Sequence, residues 1–173
     1  ARFIQFYAGA TDDTDGTGVG KIRLNNGGVA FERGGADFAE YFASASSGDQ
    51  YEPGEVVVLN DQGKADTTVT AGHSGVLGVV SDTAAFVGNA RPETEATGSA
   101  HVLVGIQGQI GVKVSDVGGQ IKAGDPITTS PITGHAMRAG GPGMILGTAL
   151  EDFEGGDVCE GGNNIPEGQE LPD

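Results

Sequence analysis

The 173-residue chain holds 32 glycines, three tyrosines and no tryptophan, and its 24 acidic against 9 basic residues leave a net charge of −15. Such a charge repels nucleic acid and anionic membrane surfaces, so neither is expected as a partner. No apolar run reaches the roughly 18 residues that would begin to suggest a membrane-crossing helix, and membrane insertion is not expected. Glycine without the collagen period, with so few aromatics, predicts an all-β domain rich in tight turns whose core is Val, Ile, Leu and Ala. The acidity fits a soluble protein kept apart by self-repulsion, adaptation to high salt, or a calcium-rich exterior. Ala1 is read as the start of a mature product or of a piece of something longer.

Residues 1–35 read as a β-strand fibre or stalk segment. "RFIQFYA" alternates, "TDDTDGTG" turns, and "VGKIRL", "NNGG" and "VAF" follow as strand, turn and strand. This segment has too few apolar residues to bury a core by itself and is expected to pack on something else, including copies of itself. In the turn, Asp13, Asp15 and Gly16 imitate part of a calcium loop, in which oxygens at alternate positions wrap a hard cation. An EF-hand register puts Thr11 first and Ile22 twelfth, so the bidentate glutamate is missing. An acidic hairpin turn and a looser calcium site are the two readings left.

"GGADFAEYF", residues 34–42, follows without the glycine punctuation of its surroundings. A short helix is expected over 37–43, the single one in the chain, with Asp37 and Glu40 three residues apart on one face. Two readings of the pair stand side by side. Asp at the N-cap with Glu three residues on is a relative of the capping box and needs no chemistry. The same geometry would let two carboxyls share a proton or act on the peptide bond before Asp37, with Gly34 and Gly35 allowing close backbone approach.

The body, residues 36–153, carries an internal repeat. "EPGEVVVLNDQGKA" from Glu52 and "KAGDPITTSPITGHAM" from Lys122 share an order of glycine, acid, β-rich run and glycine. Each precedes an apolar strand, around Gly78 and Gly147. Gly54 and Gly124 are 70 residues apart and Gly78 and Gly147 are 69 apart, which predicts two copies of one β unit. Between them "IGVKVSD", residues 110–116, alternates and reads as the clearest strand. Residues 154–173 read as an acidic, extended or flexible tail, in which the single cysteine, Cys159, is a free thiol or an intermolecular bridge.

Other chemistry is thinly supported. His73, His101 and His135 are too far apart in sequence for any recognised zinc spacing, "GTGVGK" is not a complete P-loop, and no nucleophile elbow occurs. No cofactor is expected beyond the calcium candidate at Asp13 and Asp15. Sugar binding would rest on Tyr7, Tyr41 and Tyr51 alone.

"ADFAEYF", followed about 40 residues later by "GVLGVVSDTAAFVGN" and then by "VKVSDVGGQIKAGDPITTSPITGHAMRA", resembles the peptidase G2 family. These are intramolecular chaperone domains with self-cleaving activity at the C-termini of viral tail fibres and appendages. The resemblance covers roughly residues 34–153. It implies a homotrimer that brings upstream fibre segments into register on a virion or extracellular surface, and a single cut between Ala36 and Asp37 assisted by Asp37 and Glu40. One departure stands out. Self-cleaving chaperones of this broad type often carry Ser before that Asp, whereas this chain has Ala36, so a non-cleaving structural subunit of an extracellular filament in a saline setting is the alternative. Any enzyme activity is at most that of a cis-acting autoprotease. A trimer also has a physical rationale, since three weakly cored N-terminal segments can bury around an axis what none buries alone.

Overall fold

The computed structural model describes residues 2–8, 17–25, 28–32 and 36–155. Strands β1 (Arg2–Ala8), β2 (Thr17–Asn25) and β3 (Gly28–Glu32) pair antiparallel in chain order, as the alternation in the sequence predicts. Phe6 faces Gly20 and Ile22 faces Phe31 across the two ladders. The candidate calcium residues Asp13 and Asp15 lie outside the described residues, as does Cys159.

Residues 37–43 form a strand, β4 (Asp37–Ala43), and not the helix expected there. The segment is rich in Phe and Tyr, which suit a pleated surface, and both its edges are paired: antiparallel with β9 (His101–Gly108) and parallel with β8 (Ala84–Val87). Two ladders outweigh a local capping preference. Asp37 is therefore no N-cap. The short helix among the described residues is α1 (Pro92–Glu95), started by Pro92 and closed by Thr94 Oγ1, which accepts the Arg91 N–H at 3.0 Å.

Between these lie a 3-10 turn at Gly48–Gln50 and strands β5 (Val56–Leu59), β6 (Ala65–Asp66) and β7 (Val76–Val80). After β9 come β10 (Pro126–Thr129), β11 (Ala136–Arg138) and β12 (Gly147–Thr148). A six-stranded sheet runs β6-β5-β7-β9-β4-β8, and a three-stranded sheet runs β11-β10-β12. Residues 110–116 are not a regular strand. Their hydrogen bonds go to two different neighbours: Lys113 N–H to Gly54 O, and Ser115 N–H to Ala136 O. Only Val114 forms a bridge, with Ala136.

One register occurs in both sheets. Leu59 faces Ala65 as Thr129 faces Ala136, and Val57 faces Gly78 as Ile127 faces Gly147. The turn entering each central strand is closed alike: a Glu55 oxygen accepts the Glu52 N–H at 3.0 Å, and an Asp125 oxygen accepts the Lys122 N–H at 2.9 Å. Each turn contains a glycine in the left-handed region, Gly54 at φ 87° and Gly124 at φ 97°, where a Cβ would be strained.

β5 separates two cores. Val57 packs with Ala65, Val80, Val102 and Val104, and the neighbouring Val56 packs with Ile121, Ile127 and Ala136. Successive strand residues point to opposite faces, so one short strand anchors both clusters. Each fully buried valine contributes about 1.5–3 kcal/mol relative to exposure.

Candidate functional site

The site is assembled where β4 enters the six-stranded sheet. Asp37 faces Gly108 on one side and Ala84 on the other, and both ladders are irregular at this point. Against β8 the register shifts between Asp37 and Phe38, and against β9 between Phe38 and Ala39. Bulges of this kind re-aim side chains and are over-represented beside functional sites.

Asp37 is 2% exposed. A buried carboxyl is costly unless hydrogen-bonded, and two hydroxyls meet it. Ser81 Oγ donates to Asp37 Oδ2 at 2.7 Å, and Thr83 Oγ1 donates to Oδ1 at 3.2 Å. The Thr83 N–H donates in turn to Ser81 Oγ at 3.2 Å, and the Ser81 N–H is fixed on Leu103 O at 3.0 Å. The Ser81 hydroxyl is thus held as acceptor and donor at once.

Two glycines make the space. A Cβ on Gly105 would lie 2.9 Å from Asp37 Oδ2 and 2.3 Å from Ile110 Cδ1. One on Gly108 would lie 2.4 Å from the Ala36 carbonyl oxygen and 2.7 Å from Asp37 Cα. Gly108 therefore packs its backbone directly on the Ala36–Asp37 peptide, while Ala36 itself is exposed.

Glu40 lies on the other face. On a strand, residues three apart point oppositely, and Glu40 shares its face with Phe38. A Cβ on Gly88 would meet Glu40 Oε1 and Phe38 Cζ, each at 2.8 Å. A shared proton between Asp37 and Glu40 does not fit this geometry, which follows directly from strand replacing helix. Phe38 stacks on Phe86 of β8 with centroids 5.2 Å apart. Beyond β8 the Asn89 side chain continues the pairing, its Oδ1 accepting the Tyr41 N–H at 2.7 Å and its Nδ2 donating to Tyr41 O at 3.0 Å. Burial, and then the charge of Glu95, pushes the Tyr41 hydroxyl pKa above its ordinary value.

Two of the three histidines are engaged locally, whereas His101 Nδ1 is buried without a hydrogen-bond partner among the described residues. His73 Nδ1 accepts the Gly75 N–H at 2.9 Å, and His135 Nδ1 lies 2.8 Å from Thr133 O. Among the described residues no three His, Cys, Asp or Glu side chains gather as a metal cluster, and no helix is long and apolar enough to cross a membrane.

Ser81 and Thr83 are the residues that the sequence did not single out. They alternate immediately after the apolar strand β7, and that alternation of hydroxyls on one face was the available signal. What the sequence withheld was that this face meets Asp37, 44 residues earlier. Chemically, the arrangement is a carboxyl fixed by two hydroxyls beside a backbone peptide on which Gly108 packs closely.

No protein-family model matches the chain, and no curated protein or solved structure matches it.

Proposed function

We propose that this chain is a C-terminal trimerisation and intramolecular chaperone module of a viral tail or surface fibre, and that it cuts itself once before Asp37. The observation that carries the reading is the buried Asp37 carboxyl, held by Ser81 and Thr83 where Gly108 packs on the Ala36–Asp37 peptide. In this reading Asp37 accepts a proton from a water that adds to the Ala36 carbonyl carbon. The proton then passes to the departing Asp37 amine as the C–N bond breaks, so that water and peptide become acid and amine. Ser81 and Thr83 position the carboxyl, and Glu40 positions β4 from the opposite face.

Residues 1–35 are the fibre segment, 36–153 the chaperone domain and 154–173 an acidic tail. The shared registers and turn bonds of β5–β7 and β10–β12 support an origin by internal duplication. The site of action is a virion or extracellular surface, with other copies of the chain and upstream fibre segments as partners.

A second reading, a non-cleaving structural subunit of an extracellular filament in a saline setting, is favoured by one observation. Every polar contact of Asp37 described above also serves to stabilise a sheet paired on both sides.

The test is the denatured mass, over time, of freshly made protein with native sequence upstream of Ala1. A product beginning at Asp37, absent in Asp37→Asn and slower to form in Ser81→Ala, supports the first reading. A mass that stays whole for days selects the second. Light scattering on the same samples checks the trimer.

A further inference from the structure

We infer that Gly105 and Gly108 of β9 are positioning residues for self-cleavage, Gly108 holding the Ala36–Asp37 peptide and Gly105 seating the carboxyl that acts on it. The inference rests on the cut proposed above and names what sets its place in the chain.

A regular ladder would not bring a glycine opposite Asp37. From Ala43 to Ala39 each residue of β4 meets β9 in step, ending with Ala39 facing Gly105. Continued unbroken, the pairing would set Asp37 against Gln107. Instead β9 carries one extra residue, Ile106, which is 44% exposed, so that Phe38 faces Gln107 and Asp37 faces Gly108. Directly opposed residues bring their side chains together on one face. The bulge therefore puts no side chain where a glutamine would have stood beside Asp37. The ladder with β8 repeats the device: it passes over Ala85 and sets a small residue, Ala84, against Asp37.

Each glycine clears a different part of the site. Gly108 has φ 122°, a backbone region that residues with a Cβ rarely adopt. A Cβ there would lie 2.7 Å from Asp37 Cα and 3.2 Å from the Ala36 carbonyl carbon, the atom that water attacks in the proposed cut. At Gly105, which is buried, a Cβ would lie 2.9 Å from Asp37 Oδ2, the oxygen that accepts the Ser81 hydroxyl. Glycine inside a strand weakens it and marks close approach of another group. Here two such approaches, three residues apart on β9, converge on one residue of β4.

Both clearances serve one geometry. A carboxyl takes a proton within hydrogen-bond reach or through one water, and a misplacement of about 1 Å costs on the order of 100-fold in rate. A methyl group at Gly108 would move the peptide, and one at Gly105 would move the carboxyl. From Ala39 onward the β9 ladder is regular, so the peptide before Asp37 is singled out among those of β4.

The experiment follows the denatured mass over time of the full chain with native upstream sequence, in wild type, Gly108→Ala, Gly105→Ala and Gly118→Ala, each checked for folding by circular dichroism. Gly118→Ala is the packing control, since its methyl meets Arg138 O of β11 in the other sheet. Release of the product beginning at Asp37 is expected to slow about 100-fold in Gly108→Ala and about tenfold in Gly105→Ala, and to be unchanged in the control. Adding Ile110→Val to Gly105→Ala removes Cδ1, the atom nearest the new methyl, and leaves the clash with Asp37 Oδ2. The double variant is expected to regain thermal midpoint without regaining rate. A rate that returns with the midpoint assigns Gly105 to packing and overturns its role. A Gly108→Ala chain that does not fold makes Gly108 a structural glycine and overturns its role, while the double variant still decides Gly105. Wild type cut at Asp37, with the glycine variants cut as fast, overturns the inference alone. Wild type that stays whole overturns the cut and the inference together.

Discussion

The units β5–β7 and β10–β12 place their backbones alike and use them differently. In the first, Gly78 receives β9, and through it β4 and β8, so the unit becomes half of a six-stranded sheet with Asp37 in it. In the second, a Cβ on Gly147 would meet nothing within 4 Å, and the sheet has three strands, among the described residues. The side chains diverge where the added strands arrive. Ser81 follows β7 and meets Asp37, whereas Leu150, close after β12, is exposed. The turns agree because an acid and a left-handed glycine close each of them, a local requirement met twice. The candidate site exists once because it depends on what is laid against the frame.

The largest expected effect tests whether the units are energetically separate. Ile121 is the largest fully buried side chain among the described residues, and it belongs to the core of the second unit. Ile121→Ala is expected to cost about 2–5 kcal/mol in transfer and cavity terms. Because Val56 and Val57 of β5 serve opposite cores, urea should still give one transition with a lower midpoint. Two resolved transitions would mean that β5 does not couple the cores.

Next comes the pair of glycines. Gly78→Ala drives a methyl group into Gly105 O and Val104 Cγ1, an overpacking expected to cost about 1–3 kcal/mol. Gly147→Ala meets nothing and is expected to stay within about 0.5 kcal/mol of wild type. Equal losses in the two variants, measured by thermal unfolding, would erase the difference between Gly78 and Gly147.

A smaller effect concerns the hairpin turns. Asn60 Oδ1 accepts the Gln62 N–H at 3.0 Å, and Ser130 Oγ accepts the Ile132 N–H at 3.1 Å. Ser130 also bonds Ser115 at 2.8 Å and is fully buried. Asn60→Ala is expected to cost about 0.5–1.5 kcal/mol, and Ser130→Ala about 1–3 because it takes the acceptor from the Ile132 N–H and leaves the Ser115 hydroxyl only its longer bond to Ala136 O, at 3.3 Å. Denaturant midpoints in that order support the ranking, and the reverse order refutes it.

Much of this frame is legible in the sequence. "RFIQFYA" matches β1 residue for residue, and the glycines at 54 and 124, and at 78 and 147, mark places of equal register. Two segments were misread for one reason. "DFAEYFA" carries a helix-start signal and "IGVKVSD" a strand alternation, yet hydrogen-bond partners remote in sequence decided both. Asp37 was legible as a candidate because it stands in a run that breaks the glycine pattern. Ser81, Thr83 and Gly108 were not, because their roles come from bulged ladders with β4, and register shifts leave no local trace.

The smallest effect separates the units by their surface charges. Lys113 pairs with Glu52 and Glu55 at the first turn, and Lys122 pairs with Asp152 and Glu154 at the second. The hydrogen bond and charge of Lys113 lower the Glu52 pKa. The Ala123 N–H and then Lys122 lower that of Asp152, and Asp152 raises that of Lys122. The two carboxyls therefore add stability above their ordinary values of 4.5 and 3.8, and lose it as pH falls through the lowered folded values. Lys122 adds stability below its ordinary 10.5 and loses it as pH rises through the raised one. For Lys122→Met, the difference from wild type in thermal midpoint should be greatest on the plateau between those limits and fade at both ends. Added salt should shrink it on the plateau, since these groups are exposed. An offset constant across pH and salt would assign the effect to the packing of the lysine stem, and the second turn would then owe nothing to its ion pairs.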